Sequence, residues 1–450
     1  MITLANGCQS AYRYIRLVGN LIAFARYKPI RPPGHDLSLT ANNVAVIIPT
    51  LEGSGEQLVN TLESILKNAP QQIILSTIDE NRQKAELSAT SMQNRRTKVE
   101  VTSVPRPKKS HQIAIATKRV RTEFVILADG DVLWPPCLVP WILAPFKDPL
   151  MGGVATCQRV QAPNNPRISF QYIWWFLGGL YLERRNFDCT ATTYMDGGVP
   201  CLSGRTVAYR KEILQPCMEP FVNETWFGKS LNADDDNFLT RRMVTHGYKT
   251  YFQSHPNAEV LTTLEESPKF LKQCVRWSRS NWRSNLRSLF IDRAVWWRHP
   301  WSTYAVFLTT ISQLALLTDT CLIWLCHTMT VSNPTLHSWS LGVLLIWMIF
   351  TKFIKLSGHY RRRPLDCLLF PVLVLFGYVH CFIKMSVLFS LHEDSWGNRE
   401  AFQFAQTDDN RQRDHVIQCW ILEKQLRQLT EKDISVQIPS FAELKVGVSE

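Results

Sequence analysis

Residues 123–136, EFVILADGDVLWPP, decide how the chain is read. Four apolar residues of strand character, Phe124, Val125, Ile126 and Leu127, run into Asp-Gly-Asp and a turn closed by Pro135 and Pro136. Two carboxylates at the end of a buried strand need water or a compensating charge, because an unpaired buried carboxylate is costly.

The segments upstream show what kind of strand this is. VAVIIPT (44–50), QQIILST (71–77) and KVEVTSV (98–104) are short β-type runs. Between them, QLVNTLESILKNA (57–69) places Leu58, Leu62, Ile65, Leu66 and Ala69 on one helical face. A polar helical stretch runs to about residue 95, and KSHQIAIATKRV (109–120) reads as a further helix. GGVATCQRV (152–160) adds a strand. Strands separated by helices of this length predict an α/β fold, a mostly parallel sheet with helices on both faces. Ligands of such open sheets sit beyond the carboxyl ends of the strands. Asp129 and Asp131 lie there, with Gly130 freeing the turn between them. The pair reads either as a solvated turn or as oxygen ligands for Mn²⁺ or Mg²⁺ bridging a diphosphate.

Two further stretches carry chemistry. In LNADDDNFLTRRMVTHGYKTYFQ (231–253) three consecutive acids enter a helix whose apolar face includes Phe238, Leu239 and Met243. They read as helix-capping acids or as the source of a general base for an incoming hydroxyl. In FLKQCVRWSRSNWRSNLRSLF (270–290), arginines and indoles interleave around Gln273, Arg276 and Trp277. That pattern suits an amphipathic helix at a bilayer interface. It also suits a site where indoles stack on sugars and guanidinium groups hold phosphate.

The apolar residues are concentrated after residue 302, in 304–329, 338–353 and 365–391. Crossing a bilayer takes about 20 mostly apolar helical residues, so all three read as membrane-embedded. AYRYIRLVGNLIAFARY (11–27), interrupted by Arg13 and Arg16, reads as a tilted span or an interfacial helix. It carries no small-residue cleavage site of a signal peptide. The loop 352–364 holds Lys352, Lys355, Arg361, Arg362 and Arg363, whereas 330–338 holds no Lys or Arg. The positive-inside rule makes the basic loop cytoplasmic. Arg26, Lys28, Arg31, Arg293 and Arg298 place the α/β region on the same side. The net charge of +12 is not gathered into one motif. It therefore points to anionic lipid and a phosphorylated substrate, and to no nucleic-acid partner. Twelve cysteines without a CxxC pair argue against a structural zinc site and a disulfide scaffold. Asp319, an acid inside an apolar stretch, reads as a polymer-pathway residue or a bundle contact. The aromatic stretch 168–187 reads as core packing, an interfacial helix, or both. The sequon at Asn223 has no consequence in a cytoplasmic domain.

VIIPT (46–50), KSHQ (109–112), ADGD (128–131), CLSGRTVAYR (201–210), DDDNFLTRR (234–242) and QCVRW (273–277) occur in order, followed by apolar helices. Over about residues 10–395 the chain resembles the processive inverting family 2 glycosyltransferases, the hyaluronan, chitin and cellulose synthase group. Within it the chain resembles the fungal type 2 glycosyltransferases. The resemblance implies a GT-A-like cytoplasmic nucleotide-sugar-binding domain joined to transmembrane and interfacial helices. The implied divisions are an N-terminal helix and linker (1–40), the catalytic domain (41–265), interfacial helices (266–300), membrane helices (301–392) and a polar tail (393–450).

It also implies roles. Asp131 is a metal ligand and Asp129 contacts the nucleotide sugar. Lys109 lies on the diphosphate side, with Thr50 and Glu52 near the uridine pocket. Asp235 and Asp236 form the acidic pair, with Asp236 the base and Asp234 an extra acid. Ser203, Gly204 and Arg205 face the acceptor, and Gln273, Arg276 and Trp277 hold the diphosphate and acceptor sugar. Gly130 stands where fungal relatives often carry a third Asp, and Asp79 is a poor match to the uridine-contacting acid. The implied enzyme is multi-pass, resides in the plasma membrane, needs Mn²⁺ or Mg²⁺, and uses a UDP-activated sugar to extend a growing glycan at the cell surface or wall. Single-sugar transfer to a lipid, as in ceramide glucosyltransferases, and a catalytically silent scaffold are the competing expectations.

Overall fold

The computed structural model describes residues 2–33 (backbone only over 2–11), 39–93, 96–163, 167–231, 234–312 and 314–393. The expected tail, 393–450, lies outside the described residues beyond its first position.

Strands β1 (Val44–Pro49), β2 (Gln72–Ile78), β3 (Lys98–Val104) and β4 (Phe124–Ala128) alternate with helices at Glu56–Leu66, Arg82–Ser91 and Lys109–Arg119. Every residue of β1 and β4 is buried, as expected of strands covered on both faces. β3 lies at the edge and carries exposed Lys98 at its start, a charge that discourages pairing with another chain. Leu58, Leu62 and Ile65 of the first helix join Val46, Ile48, Ile73, Leu75 and Ile126 in one core. The 3.6-residue period of the helix and the apolar runs of the strands are thereby buried together.

β5 (Val132–Leu133), β6 (Met151–Thr156), β7 (Gln158–Val160) and β8 (Thr206–Arg210) follow, then the hairpin β9 (Thr225–Trp226) and β10 (Lys229–Ser230), then β11 (Lys249–Gln253) and β12 (Val260–Thr262). The main sheet has seven strands in the order β11-β6-β8-β4-β1-β2-β3. It is mostly parallel, as expected, but mixed by one reversed strand: β8 runs antiparallel to both β4 and β6, while the other pairs are parallel. The residues of 206–210 are compatible with either direction, so the sequence pattern does not reveal the reversal. The expected single strand at 152–160 is divided at Cys157. β6 stays in the main sheet, whereas β7 pairs with β12 in a second sheet completed by β5. That second sheet brings Thr262 opposite Val132, directly after Asp131.

The aromatic stretch forms a helix over Phe170–Asp196, capped by the Ser169 side chain and ended by Gly197 at φ 73°, a backbone region where glycine has no steric penalty. Its Tyr172, Phe176 and Leu180 pack with Phe270, Cys274, Tyr360 and Leu369, so this stretch is core. Asp188 on the same helix accepts bonds from Arg16 and Asn20 of the N-terminal helix Ile2–Arg26 at 3.3 and 3.2 Å.

Among the described residues, Pro334–Ile354 and Pro364–Ser390 are long and apolar enough to cross a membrane. The first of the three expected spans is instead bent by 81° between Pro300–Ser312 and Ala315–Thr330. Before the bend, Thr309, Thr310 and Ser312 each return their hydroxyl to a carbonyl one turn back, a pattern that bends helices. Asp319 is a bundle contact: it pairs with Arg13 at 2.6 Å and with Lys352, and accepts from the Tyr378 hydroxyl at 3.1 Å.

Candidate active site

β2, β1 and β4 are neighbours running parallel, so the residues after each strand share one edge. Those residues are Asp79, Thr50 and Asp129. β2 extends through Ile78, which puts Asp79 directly at the strand end. Thr50 is held there by Gln112, which donates to its carbonyl at 3.0 Å, and by a bond from the Gly53 N–H to its hydroxyl at 3.2 Å. Glu52 is exposed on the loop that follows.

Antiparallel pairing of β4 with β8 sets Ala128 opposite Thr206. This lays Ser203, Gly204 and Arg205 alongside the Asp-Gly-Asp turn, and the Asp129 N–H donates to the Arg205 carbonyl at 3.3 Å. Lys109, at the N-terminus of its helix, reaches into the same space and is buried. Its ammonium lies 2.9 Å from Asp129 Oδ1 and 2.9 Å from Asp235 Oδ2. One cation therefore ties the strand-end acid to the first acid of helix Asp235–Thr245. Gly204 leaves room for this approach. A Cβ there would sit 3.1 Å from Asp235 Oδ2 and 3.3 Å from Lys109 Nζ.

The three consecutive acids have three different environments. Asp234 is buried and receives both Nε and NH2 of Arg283, at 2.9 and 3.1 Å. Asp235 faces Lys109. Asp236 makes no ion pair among the described residues; it accepts the adjacent Asn237 N–H at 2.8 Å and a bond from the Cys201 thiol. Burial, then the Asp235 charge, push the Asp236 carboxyl up to about 6. Burial, then Asp129, also raise Asp131, whose Oδ2 accepts the Thr263 hydroxyl at 3.0 Å. For Asp129, burial opposes ionisation, but Lys109 together with Arg205 and Arg276 outweighs it and holds the carboxyl below its ordinary value.

Helix Lys269–Leu286 closes the site. Arg283 on Asp234, Ser280 on Asn237 (2.7 Å) and Ser284 on Arg241 (2.9 Å) lock it to helix Asp235–Thr245. Arg276 lies in the field of Asp129, Asp235 and Asp236, and burial and nearby Arg205 lower its pKa. The Arg205 guanidinium sits over the Trp277 indole at 5.3 Å, a cation–π contact. The Gln273 side-chain oxygen is buried without a hydrogen-bond partner among the described residues.

The structure thus brings Thr50, Lys109, Asp129, Asp131, Gly204, Arg205, Asp235, Asp236, Arg276 and Trp277 around one crevice. Sequence reading missed Thr263 on Asp131. It also missed Asn237, Ser280, Arg283 and Ser284, although positions 280, 283 and 284 have the spacing of one helical face. Arg185, which donates to the Cys201 carbonyl at 2.8 Å beside Asp236, carried no signal.

Residues 41–280 match the profile described as glycosyltransferase like family 2. The chain is 44% identical over 392 residues to a type 2 glycosyltransferase of Zymoseptoria tritici, covering 86% of this chain and 82% of that protein. The chain belongs to the family 2 glycosyltransferases. It is also 24% identical to human hyaluronan synthase 2 over 269 residues, a match covering 59% of this chain and 44% of that one. The structure of a Pyrobaculum calidifontis mannosyltransferase in complex with GDP-Man and Mn²⁺ superposes with a TM-score of 0.54 at 14% identity, over 87% of this chain and 99% of that one. That likeness supports the GT-A-like fold, and this family 2 member is an enzyme with helices suited to membrane association.

The carboxylates suit a divalent cation shared with a bound diphosphate. Asp129 and Asp131 flank one turn, and Asp131 is raised by burial and then by its neighbour while its Oδ2 accepts the Thr262 and Thr263 hydroxyls. Among the described residues no group of three or more His, Cys, Asp or Glu would hold a metal alone. Mn²⁺ or Mg²⁺ bound through one or two carboxylates plus phosphate oxygens meets that description.

Proposed function

We propose that this family 2 glycosyltransferase is a multi-pass membrane enzyme, with its catalytic region on the cytoplasmic side, that inverts a nucleotide sugar onto an acceptor hydroxyl. The observation that carries the reading is the division of labour among the acids. Asp234 is neutralised by Arg283 and Asp235 by Lys109, which leaves Asp236 as a raised carboxylate without an ion pair among the described residues. A base whose pKa lies near 6 is mostly ionised at neutral pH yet still basic enough to take a hydroxyl proton.

In this reading Asp131, with Asp129, holds Mn²⁺ or Mg²⁺ against the diphosphate, where a cation supplies charge stabilisation for the leaving group. Lys109 positions Asp129 and Asp235. Arg276 and the unpartnered Gln273 oxygen face the diphosphate and the sugar, and Trp277 provides a stacking surface for the acceptor. Thr50, Glu52 and Asp79 line the base-and-ribose end, while Ser203, Gly204 and Arg205 form the acceptor wall. Asp236 removes the acceptor proton as the hydroxyl attacks opposite the diphosphate, so the anomeric carbon inverts in a single displacement. Fixed charges aimed at the developing negative charge lower the barrier.

The resemblance favours a UDP-activated donor and a glycan product at the cell surface or wall, made at the plasma membrane. Transfer of one sugar to a lipid is the second reading, favoured by the apolar side chains Phe353, Phe376 and Ile383, which pack in the same cluster as Trp277. Purified protein in nanodiscs is supplied with labelled nucleotide sugars, with Mn²⁺ and after chelation, and the products are sized. Release of nucleoside diphosphate with a labelled product, lost on chelation, supports the proposal. No transfer from any nucleotide sugar refutes it.

A further inference from the structure

Helix Phe170–Asp196 brings two side chains to the crevice at the spacing of one turn. Tyr181 packs against Trp277 with ring centroids 4.9 Å apart. Arg185, on the next turn, donates from its NH2 to the Cys201 carbonyl at 2.8 Å. Its NH1 is buried without a hydrogen-bond partner among the described residues, and none of them gives the guanidinium an ion pair. The Phe252 ring lies 5.8 Å from its central carbon. A guanidinium set this deep without a partner is costly unless it acts on a charge of opposite sign.

Cys201 opens the acceptor wall, and hydrogen bonds join that wall to the helix of the base. The Leu202 N–H donates to the Thr240 hydroxyl at 2.8 Å, and that hydroxyl donates to the Asp236 carbonyl at 2.6 Å. The Cys201 thiol bonds to the Asp236 carboxylate itself. A single residue therefore stands between a guanidinium and a carboxylate that both lack an ion pair among the described residues. At the other end of the same segment the Arg205 carbonyl accepts the Asp129 N–H at 3.3 Å, so displacing 201–205 moves the base relative to the strand-end acid. The further groups facing Asp236 are Asp235 on its own helix, Lys109, Tyr209 on β8 and Arg276 on helix Lys269–Leu286. Lys109 is shared between Asp129 and Asp235, and Arg276 also lies in the field of those two acids. For Arg185, Asp236 is the carboxylate it faces. A cation so placed favours the ionised form of the acid.

We propose that Arg185 is a positioning residue for the base: through Cys201, Leu202 and Thr240 it seats the acceptor wall on the helix of Asp236, and its charge keeps that carboxylate in the form that takes the acceptor proton. The inference rests on the transferase reading given above and deepens it.

The test uses the full chain in nanodiscs with Mn²⁺ and labelled UDP-glucose, UDP-N-acetylglucosamine, UDP-glucuronate or GDP-mannose as donor. The kcat for nucleoside diphosphate release is followed between about pH 5 and 8.5 for the native chain and for Arg185→Gln, Arg185→Met and Arg185→Lys, with circular dichroism to check folding. The Gln and Met variants, two independent ways of removing the charge, are expected to move the acidic limb up by about one pH unit. From a native value of about 6, the rate loss due to charge is then about fivefold at pH 6 and nearly gone at pH 8. Lys returns the limb to its native position. An arginine that only packs predicts a lower kcat or a lower unfolding temperature with the limb in place, and that result overturns the inference. So does a limb that stays shifted in the Lys variant. A limb that persists in Asp236→Asn refutes Asp236 as the base, and turnover of none of the donors by the native chain refutes the transferase reading. Either result takes this inference with it, and both are distinct from an active native enzyme whose limb the Gln and Met variants leave unmoved.

Discussion

Replacing Asp236 by Asn preserves shape and the bond from the Asn237 N–H but removes the base. A general base contributes about 10²–10⁴-fold to rate, equivalent to about 3–5 kcal/mol of barrier at about 1.4 kcal/mol per tenfold. The carboxyl raised to about 6 also sets the pH response of the native enzyme. The ionised fraction is about nine-tenths at pH 7 and about one-tenth at pH 5. Transfer by the native enzyme thus falls about tenfold over that interval, and the residual rate of the Asn variant does not follow that limb. The same shift has a stability consequence of opposite benefit. A folded pKa raised from 3.8 to about 6 favours the fold fully below pH 3.8, and that contribution is lost as pH rises through 6. At neutral pH the ionised carboxylate costs about 3 kcal/mol, so Asp236→Asn is expected to unfold at higher temperature than the native enzyme at pH 7.5. Initial rates of nucleoside diphosphate release across pH, with thermal melts in the same nanodiscs, measure both. Activity within about threefold of native, far short of the loss of a general base, or a flat profile down to pH 5, would refute the assignment.

The other acids are expected to respond differently. Asp234→Asn removes the carboxylate that receives the buried Arg283 guanidinium and lowers stability by about 3–5 kcal/mol, seen in thermal melts. Lys109→Met leaves Asp129 and Asp235 facing each other and impairs folding as well as transfer. Because Lys109 holds Asp129 below its ordinary pKa, the stability it confers is present above that ordinary value and is lost as the pH falls through the depressed one. Acid melts of the Met variant lack that loss. Gly204→Ala adds a carbon 3.1 Å from Asp235 and 3.3 Å from Lys109, so both neighbours must shift to admit it. Displacing the clamp is expected to lower kcat about tenfold while circular dichroism remains native.

Much of this enzyme is written in local pattern. Apolar runs ending at Pro49, Ile78 and Ala128, with helices between, identify parallel strands whose carboxyl ends carry Thr50, Asp79 and Asp129. The order of ADGD, DDDNFLT and QCVRW marks the family, and the apolar stretches at 338–353 and 365–391 mark helices suited to a bilayer. Each depends on composition and spacing along the chain, which a sequence records directly. The direction of β8 does not, since Thr206–Arg210 serves equally in either sense, and neither does the break at Cys157 that sends β7 into a second sheet. The identities of the three acids are likewise equal in sequence. Only packing gives Asp234 to Arg283, Asp235 to Lys109 and leaves Asp236 without an ion pair among the described residues, because burial and the positions of distant cations set the charge state of a carboxylate. Asp319 follows the same logic: its residue type announces an anomalous acid, while Arg13, Lys352 and Tyr378, brought from three other helices, make it a bundle contact.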